Sequence, residues 1–331
     1  MSLLRFTHVT LELDGADIHR PILCDVSLHV DRGEVVGLVG ESGSGKSTTA
    51  RAALGAVPRS GRLTGSVQVA GQDVFSLPER ALRHLRGQQV GMVFQDPRGS
   101  LNPLRRIGDF MVEGLRANLG LDARAARDRV LPIAASVGLP QPERLLAMYP
   151  HQLSGGMLQR VVIATALAAG PELLLADEAT SALDVTTQAE TLAVLSDAQR
   201  ERGLGMLFIT HDLHLAAGFC DRVCVMYAGR IVEERRGPEL FTAARHPYTT
   251  ALLASAPEIQ QARRLHVIPG HPPSLSERLP GCPFAPRCGH AEPACQTWTP
   301  SLYPDEVGAG AAACRRLDQV TSPLLRQGES V

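Results

Sequence analysis

The chain has 331 residues, enough for one large domain with an extension or for two modest domains. Hydrophobic residues make up 44% and charged residues 20%, the balance of a folded globular protein rather than a disordered one. The net charge of −1, with no basic block, gives no reason to expect nucleic acid as a partner.

The opening residues "MSLLRFTHVT" carry no long apolar run and no small-residue cleavage site, so no signal peptide is read. Residues 3 to 13 and 22 to 30 alternate apolar and polar side chains, which predicts two antiparallel strands. "EVVGLVG" (34–40) is nearly continuous in apolar residues and ends in glycine, as a buried central strand does. The helix-compatible "KSTTARAALGAV" follows, then a hairpin turned at Ala70-Gly71. Residues 98 to 170, rich in Ala, Leu and Arg and broken by glycine and proline, predict a helical subdomain. "ELLLAD" and "GMLFIT" are two more buried strands with a helix over 185–202 between them. That alternation predicts an α/β fold with a mixed, mainly parallel sheet and flanking helices. "RVCVMYAGRIVEE" closes it as a hairpin at Ala228-Gly229. Proline content rises after residue 256, so one large domain is expected over 3–256 and a loop-rich extension over 257–331. The longest strongly apolar stretches, "VVIATALAA" and "LLLA", fall well short of the ~20 residues that a membrane helix needs.

"GESGSGKS" (40–47) fits G-x-x-x-x-G-K-S between a strand and a helix, the context in which that pattern cradles phosphate. Backbone amides from Gly40, Glu41, Ser42, Gly43, Ser44, Gly45 and Thr48 are candidates to curl round phosphate oxygens at a helix N-terminus. Lys46 is placed for the β- and γ-phosphates, and Ser47 offers a hydroxyl to Mg²⁺. Asp177 and Glu178, at the end of "LLLADE", supply a carboxylate for the metal and a base for water. Ser154, Gly155 and Gly156, in "QLSGGMLQR", form a second anion-binding helix start, which one chain cannot readily use on the same phosphates.

In these motifs and their order the sequence resembles the ATP-binding subunits of ABC transporters over nearly its whole length. "FQD" (94–96) looks like the Q-loop, "LSGGM" the signature, "SALD" (181–184) the D-loop and "THD" (210–212) the switch histidine. The resemblance implies two cassettes sandwiching two ATP molecules, each phosphate loop facing the other's signature. It implies that Ser154, Gly155 and Gly156 act on partner-bound ATP, and that Gln95 touches Mg²⁺ and the lytic water. His211 would contact the γ-phosphate and Glu178, and Asp184 would help orient the partner's site. Members usually stack adenine on an aromatic of the first strand, where this chain has Leu13; Met157 stands where glutamine is commoner.

"FQDPRGSLNPLRRIGDFM" (94–111), "YPHQLSGGM" (149–157), "RHPYTTALLASAP" (245–257) and "IPGHPPSL" (268–275) look like the oligopeptide/dipeptide/nickel importer branch. The resemblance implies a second ATPase subunit, favoured as a paralogue, two permeases and an extracytoplasmic substrate-binding protein. It puts the chain on the cytoplasmic face of the membrane, importing peptides, with nickel or another small solute as the rival cargo. A soluble ABC ATPase working on DNA or ribosomes is the competing class; the absence of a long coiled-coil insertion and of a second ATPase domain counts against it.

Seven cysteines is an odd number, and four crowd the C-terminus. Cys282, Cys288, Cys295 and Cys314 are separated by five, six and eighteen residues, unlike the tight pairs of zinc ribbons. Four thiolates on a glycine- and proline-rich wrap suit a [4Fe–4S] cluster, and the resemblance implies one for members carrying "GCxFxxRC"; zinc and free or oxidised thiols stay open. Cys24, Cys220 and Cys224 read as core residues.

Overall fold

A computed structural model describes residues 2–15, 17–18, 20–181, 183–255, 267–304 and 310–317. The expected domain boundary at residues 256–257 lies outside the described residues. The chain begins with β1 (Ser2–Leu13), β2 (Leu23–Asp31), β3 (Val35–Val39), α1 (Lys46–Ala53), β4 (Gly61–Val69) and β5 (Gln72–Asp73). It continues with α2 (Glu79–Gln88), β6 (Val90–Val93), α3 (Ile107–Leu119), α4 (Ala123–Ser136), α5 (Pro142–Leu145) and α6 (Gly155–Ala168). Then come β7 (Leu173–Asp177), α7 (Val185–Arg202), β8 (Gly205–Thr210), α8 (Leu213–Phe219), β9 (Arg222–Tyr227) and β10 (Arg230–Arg236). The short α9 (Leu240–Ala243), α10 (Pro247–Ser255), β11 (Tyr303–Pro304) and β12 (Gly310–Ala312) end the described elements.

Among the described residues, the strands form two sheets. One is antiparallel in the order β2-β1-β4-β5; the other is mixed, β11-β12-β10-β9-β3-β8-β7-β6, and parallel from β9 to β6. The parallel strands are short and apolar because both of their faces are covered. β3 shows how: Val36 and Leu38 enter one core while Val35 and Val39 enter the other. The first core lies between the two sheets and takes Ala50, Ala52 and Ala53 from α1. The second, on the opposite face, joins Val161 and Leu167 of α6 to Tyr248 and Phe284 near the C-terminus.

Helix starts are written in single side chains. Asp122, Ser154, Asp184 and Asp212 each accept a hydrogen bond from the backbone amide three residues on, capping α4, α6, α7 and α8. The helical subdomain expected over 98–170 has its helices from Ile107 to Ala168. α6 runs out of it to pack beneath β6, where a Cβ on Gly91 would lie 2.8 Å from the Ala166 carbonyl.

The C-terminal extension is joined to the core as well as appended to it. β12 pairs antiparallel with β10, Glu233 opposite Ala312, so the extension lengthens the main sheet. Phe284 packs edge-on against both Tyr227 and Tyr248. Cys220 and Cys224 are buried core residues and Cys24 is half-buried. No described helix is long and apolar enough to cross a membrane.

Candidate active site

The turn from β3 into α1 sets the centre of the site. Gly40 has φ +157°, and a Cβ there would fall 2.2 Å from the Met226 carbonyl, so only glycine lets the chain leave the sheet here. Gly45 caps α1 in the left-handed region at φ +110°. Lys46 curls back over the loop, its Nζ donating to the carbonyls of Gly40 (2.7 Å) and Glu41 (2.9 Å). Burial holds its pKa below the usual lysine value, while Glu178 and Asp177 pull it back up.

Ser47 Oγ donates to Asp177 Oδ1 at 2.9 Å, so the hydroxyl and carboxylate foreseen for Mg²⁺ meet at the end of β7. That oxygen pair at the mouth of a phosphate loop fits a hard divalent cation. Burial raises the Asp177 pKa, the Ser47 hydrogen bond opposing it; a bound cation would favour the carboxylate. Glu178 follows with φ +49°, a left-handed conformation unusual for a side chain of its size. Its amide donates to the Ile209 carbonyl at 2.9 Å, which ties the turned backbone to β8. The carboxylate Oε2 accepts from Gln95 Nε2 at 2.9 Å and lies 3.5 Å from His211 Nδ1.

These groups border one cleft of about 760 Å³, with Ser42, Gly43, Gly45, Lys46, Ser47, Thr48, Gln95, Glu178 and His211 in its walls. Gly40, Glu41 and Ser44, also expected at the nucleotide, support the loop from behind. Ser44 is buried, and its carbonyl accepts from Gly229 N at 2.8 Å.

The signature residues do not reach this cleft. Ser154 caps α6, and Gly155 and Gly156 begin that helix. Asp184 caps α7 beside it, binding both the amide (3.0 Å) and the hydroxyl (2.7 Å) of Thr187, and these bonds hold its pKa below the usual carboxylate range. A Cβ on Gly156 would come within 2.6 Å of Thr187 Cγ2, so the signature packs against the residue of α7 that Asp184 caps.

Sequence reasoning missed what holds Glu41. Its carboxylate takes a two-pronged ion pair from Arg287 of the extension, at 2.7 and 3.0 Å, and its amide donates to the Tyr248 hydroxyl at 2.9 Å. Arg287 also reaches the Tyr227 hydroxyl and the Pro269 carbonyl, and is 8% exposed. An arginine inside an apolar, cysteine-bearing segment was the available signal, since arginine is rarely buried without a partner.

Cys282, Cys288, Cys295 and Cys314 border one small apolar cavity with Phe284 and Trp298. Among the described residues, the single set of three or more His, Cys, Asp or Glu ligand atoms within 4.8 Å of one another is His29, Asp31 and Glu34, so no three of these thiols lie that close together. The amides of His290 and Arg316 point at the sulfurs of Cys288 and Cys314, each at 3.4 Å. Burial pushes the Cys282 thiol up to about 11 and raises Cys288 and Cys314 as well.

Fold and cleft together define an ABC-type ATP-binding cassette. The ABC transporter family model matches residues 23–181, and the model for the C-terminal region of oligopeptide/dipeptide transporters matches residues 232–295. A dimeric ATP-binding cassette solved in a post-hydrolysis state with ADP and Pi superposes with a TM-score of 0.62 at 30% identity, over 70% of this chain and 98% of that one. The oligopeptide transport ATP-binding protein OppD of Salmonella typhimurium is 42% identical over 298 residues, 90% of this chain and 88% of its own. The dipeptide transport ATP-binding protein DppD of Haemophilus influenzae is 42% identical over 308 residues, 92% and 91% respectively. The Mycobacterium tuberculosis OppD is 45% identical over 95% of this chain, which spans about half that relative's length (51%). The chain belongs to the oligopeptide/dipeptide ABC-transporter family of ATP-binding proteins.

Proposed function

We propose that this chain is the ATP-hydrolysing subunit of an ABC importer that energises uptake of di- or oligopeptides across the cytoplasmic membrane. One observation carries the hydrolytic reading: Glu178 shares a cleft with Lys46 and the Ser47–Asp177 pair while held between Gln95 and His211. Lys46 exchanges its two carbonyl partners for phosphate oxygens. Ser47 and Asp177 would hold Mg²⁺, which would supply positive charge against the phosphates. Glu178 accepts the proton of an attacking water which Gln95 and His211 orient. Ser154, Gly155 and Gly156 serve the ATP of a second cassette, with Asp184 at the same contact. Their separation from the chain's own cleft supports this, as does the dimeric cassette to which the fold is similar. The working unit contains a second ATPase subunit, a paralogue by preference, two permeases and an extracytoplasmic binding protein, with this chain peripheral on the cytoplasmic face.

Peptide cargo follows the names of the Salmonella and Haemophilus relatives. Proteoliposomes bearing the assembled transporter and its binding protein test it: ATP-dependent accumulation of a labelled tripeptide is expected. Accumulation of nickel without peptide would move the chain to the other cargo.

We further propose that Cys282, Cys288, Cys295 and Cys314 hold a [4Fe–4S] cluster. Tetrahedral zinc with Zn–S near 2.3 Å draws its four sulfurs to about 3.8 Å apart. That no three of these thiols lie within 4.8 Å of one another suits ligands to different irons, and the two amide contacts to sulfur suit thiolates. The cluster supplies closure in a segment short of apolar core. Anaerobic preparations should be brown with about four irons and four sulfides per chain; a colourless protein with stoichiometric zinc would refute the assignment.

A further inference from the structure

The cleft around the phosphate loop is walled partly by the extension. Arg20 and Ile22, between β1 and β2, border it together with Pro273, Ser274 and Leu275. Arg20 spans the two parts: its Nε donates to the Ser274 carbonyl at 2.8 Å and its Nη2 to the Pro273 carbonyl at 2.6 Å. Its Nη1 makes a long contact, 3.4 Å, to the Pro21 carbonyl. The turn that supplies those carbonyls is braced within itself. Ser274 N donates to Glu277 Oε1 at 2.7 Å, and Glu277 N returns to the Ser274 carbonyl at 3.2 Å. Leu13, the first-strand position where an aromatic was to be expected, does not border the cleft.

We propose that this clasp is the base subsite of the nucleotide, with the flat face of the Arg20 guanidinium stacking on the heterocycle. The proposal rests on the ATP-site reading and deepens it. A phosphate would need the guanidinium's N–H fork free for paired hydrogen bonds. Here carbonyls of the extension occupy two of its nitrogens, which fixes the plane and leaves the face. A delocalised, weakly hydrated guanidinium stacks well on aromatic rings. Ile22, Pro273 and Leu275 add the apolar edges that a heterocycle prefers and a phosphate does not. The carboxylate, amide and imidazole of the cleft (Glu178, Gln95 and His211) contact one another. Residues 253 and 254 positions beyond Arg20 thus fix its orientation, so the extension sets how the base is held.

The test measures binding of Mg·ATP and of Mg·tripolyphosphate, which has no base, to the full chain by calorimetry. Arg20→Ala should weaken ATP roughly tenfold, as loss of a partly desolvated cation–π stack does. Tripolyphosphate affinity should not change, which also shows that the variant is folded. Arg20→Lys keeps the charge but loses the flat face and the fork that the Pro273 and Ser274 carbonyls hold, and should recover ATP affinity only in part. Equal weakening of both ligands, unchanged ATP affinity, or full recovery with lysine would overturn the proposal. A wild-type chain that binds neither ligand would instead remove the ATP-site reading, and this subsite with it.

Discussion

The phosphate loop and the cysteine-bearing extension are built on opposite plans. The loop folds on itself through contacts short in sequence: Lys46 bonds carbonyls five and six residues away, and α1 starts at the glycine before it. The extension reaches the same cleft over hundreds of residues, with Arg287 on Glu41 at a separation of 246 and Arg20 on Ser274 at 254. Local construction suits chemistry, because a short loop on a rigid strand fixes donors and charges tightly. Long-range construction suits restraint, because its contacts join parts that would otherwise move independently. The two regions should therefore fail differently when altered.

The largest effect is expected at the chemistry. Glu178→Gln removes the base that we propose but keeps the size, so hydrolysis should fall by about a hundredfold while ATP binding persists. Radiolabelled nucleotide retained on the assembled transporter measures the second half of that statement. Next comes the signature. Ser154→Arg replaces a capping hydroxyl with a bulky cation and should cut hydrolysis at the partner's phosphate loop by at least about tenfold. Nucleotide binding in this chain's own cleft should survive, since Ser154 does not border it. A complex with one mutated subunit shows which site is empty.

A smaller, different effect is expected at the joint. Arg287→Ala takes both guanidinium hydrogen bonds from the Glu41 carboxylate and leaves it without its cation, and should cost about 2 kcal/mol of stability. Thermal unfolding measures that loss. Because Glu41 lies in the phosphate loop, KM for ATP should rise while kcat changes little. A fall in kcat with unchanged KM would mean that Arg287 belongs to the chemistry and not to the restraint.

What could be read from the sequence follows the same division. The loop, the two carboxylates after "LLLA", the signature and "THD" carry their meaning within a few residues, and β3, β7 and β8 beside them are unbroken buried runs of five or six residues. β6 escaped because four residues of "VGMV" run straight into "FQD", so its apolar stretch is too short to stand out. β12 escaped for another reason. Gly310, Ala311 and Ala312 have weak strand preference and are held by pairing with Glu233, Glu234 and Arg235, which no local pattern announces. Glu41 occupies a free position of its motif, so nothing marked it as the partner of Arg287. Arg20 sits in a loop without periodicity; only the extension folded over it gives it a place.

The most direct test compares the two regions in one assay: steady-state ATP hydrolysis by the assembled transporter carrying either Glu178→Gln or Cys282→Ser. The first should be nearly inactive with its fold intact. The second should lose its brown colour and loosen the extension, with KM for ATP raised and kcat largely kept, because Glu178, Gln95 and His211 do not depend on the cysteines for their contacts. Unchanged hydrolysis with Glu178→Gln, or loss of kcat with Cys282→Ser equal to that of Glu178→Gln, would contradict this division of labour.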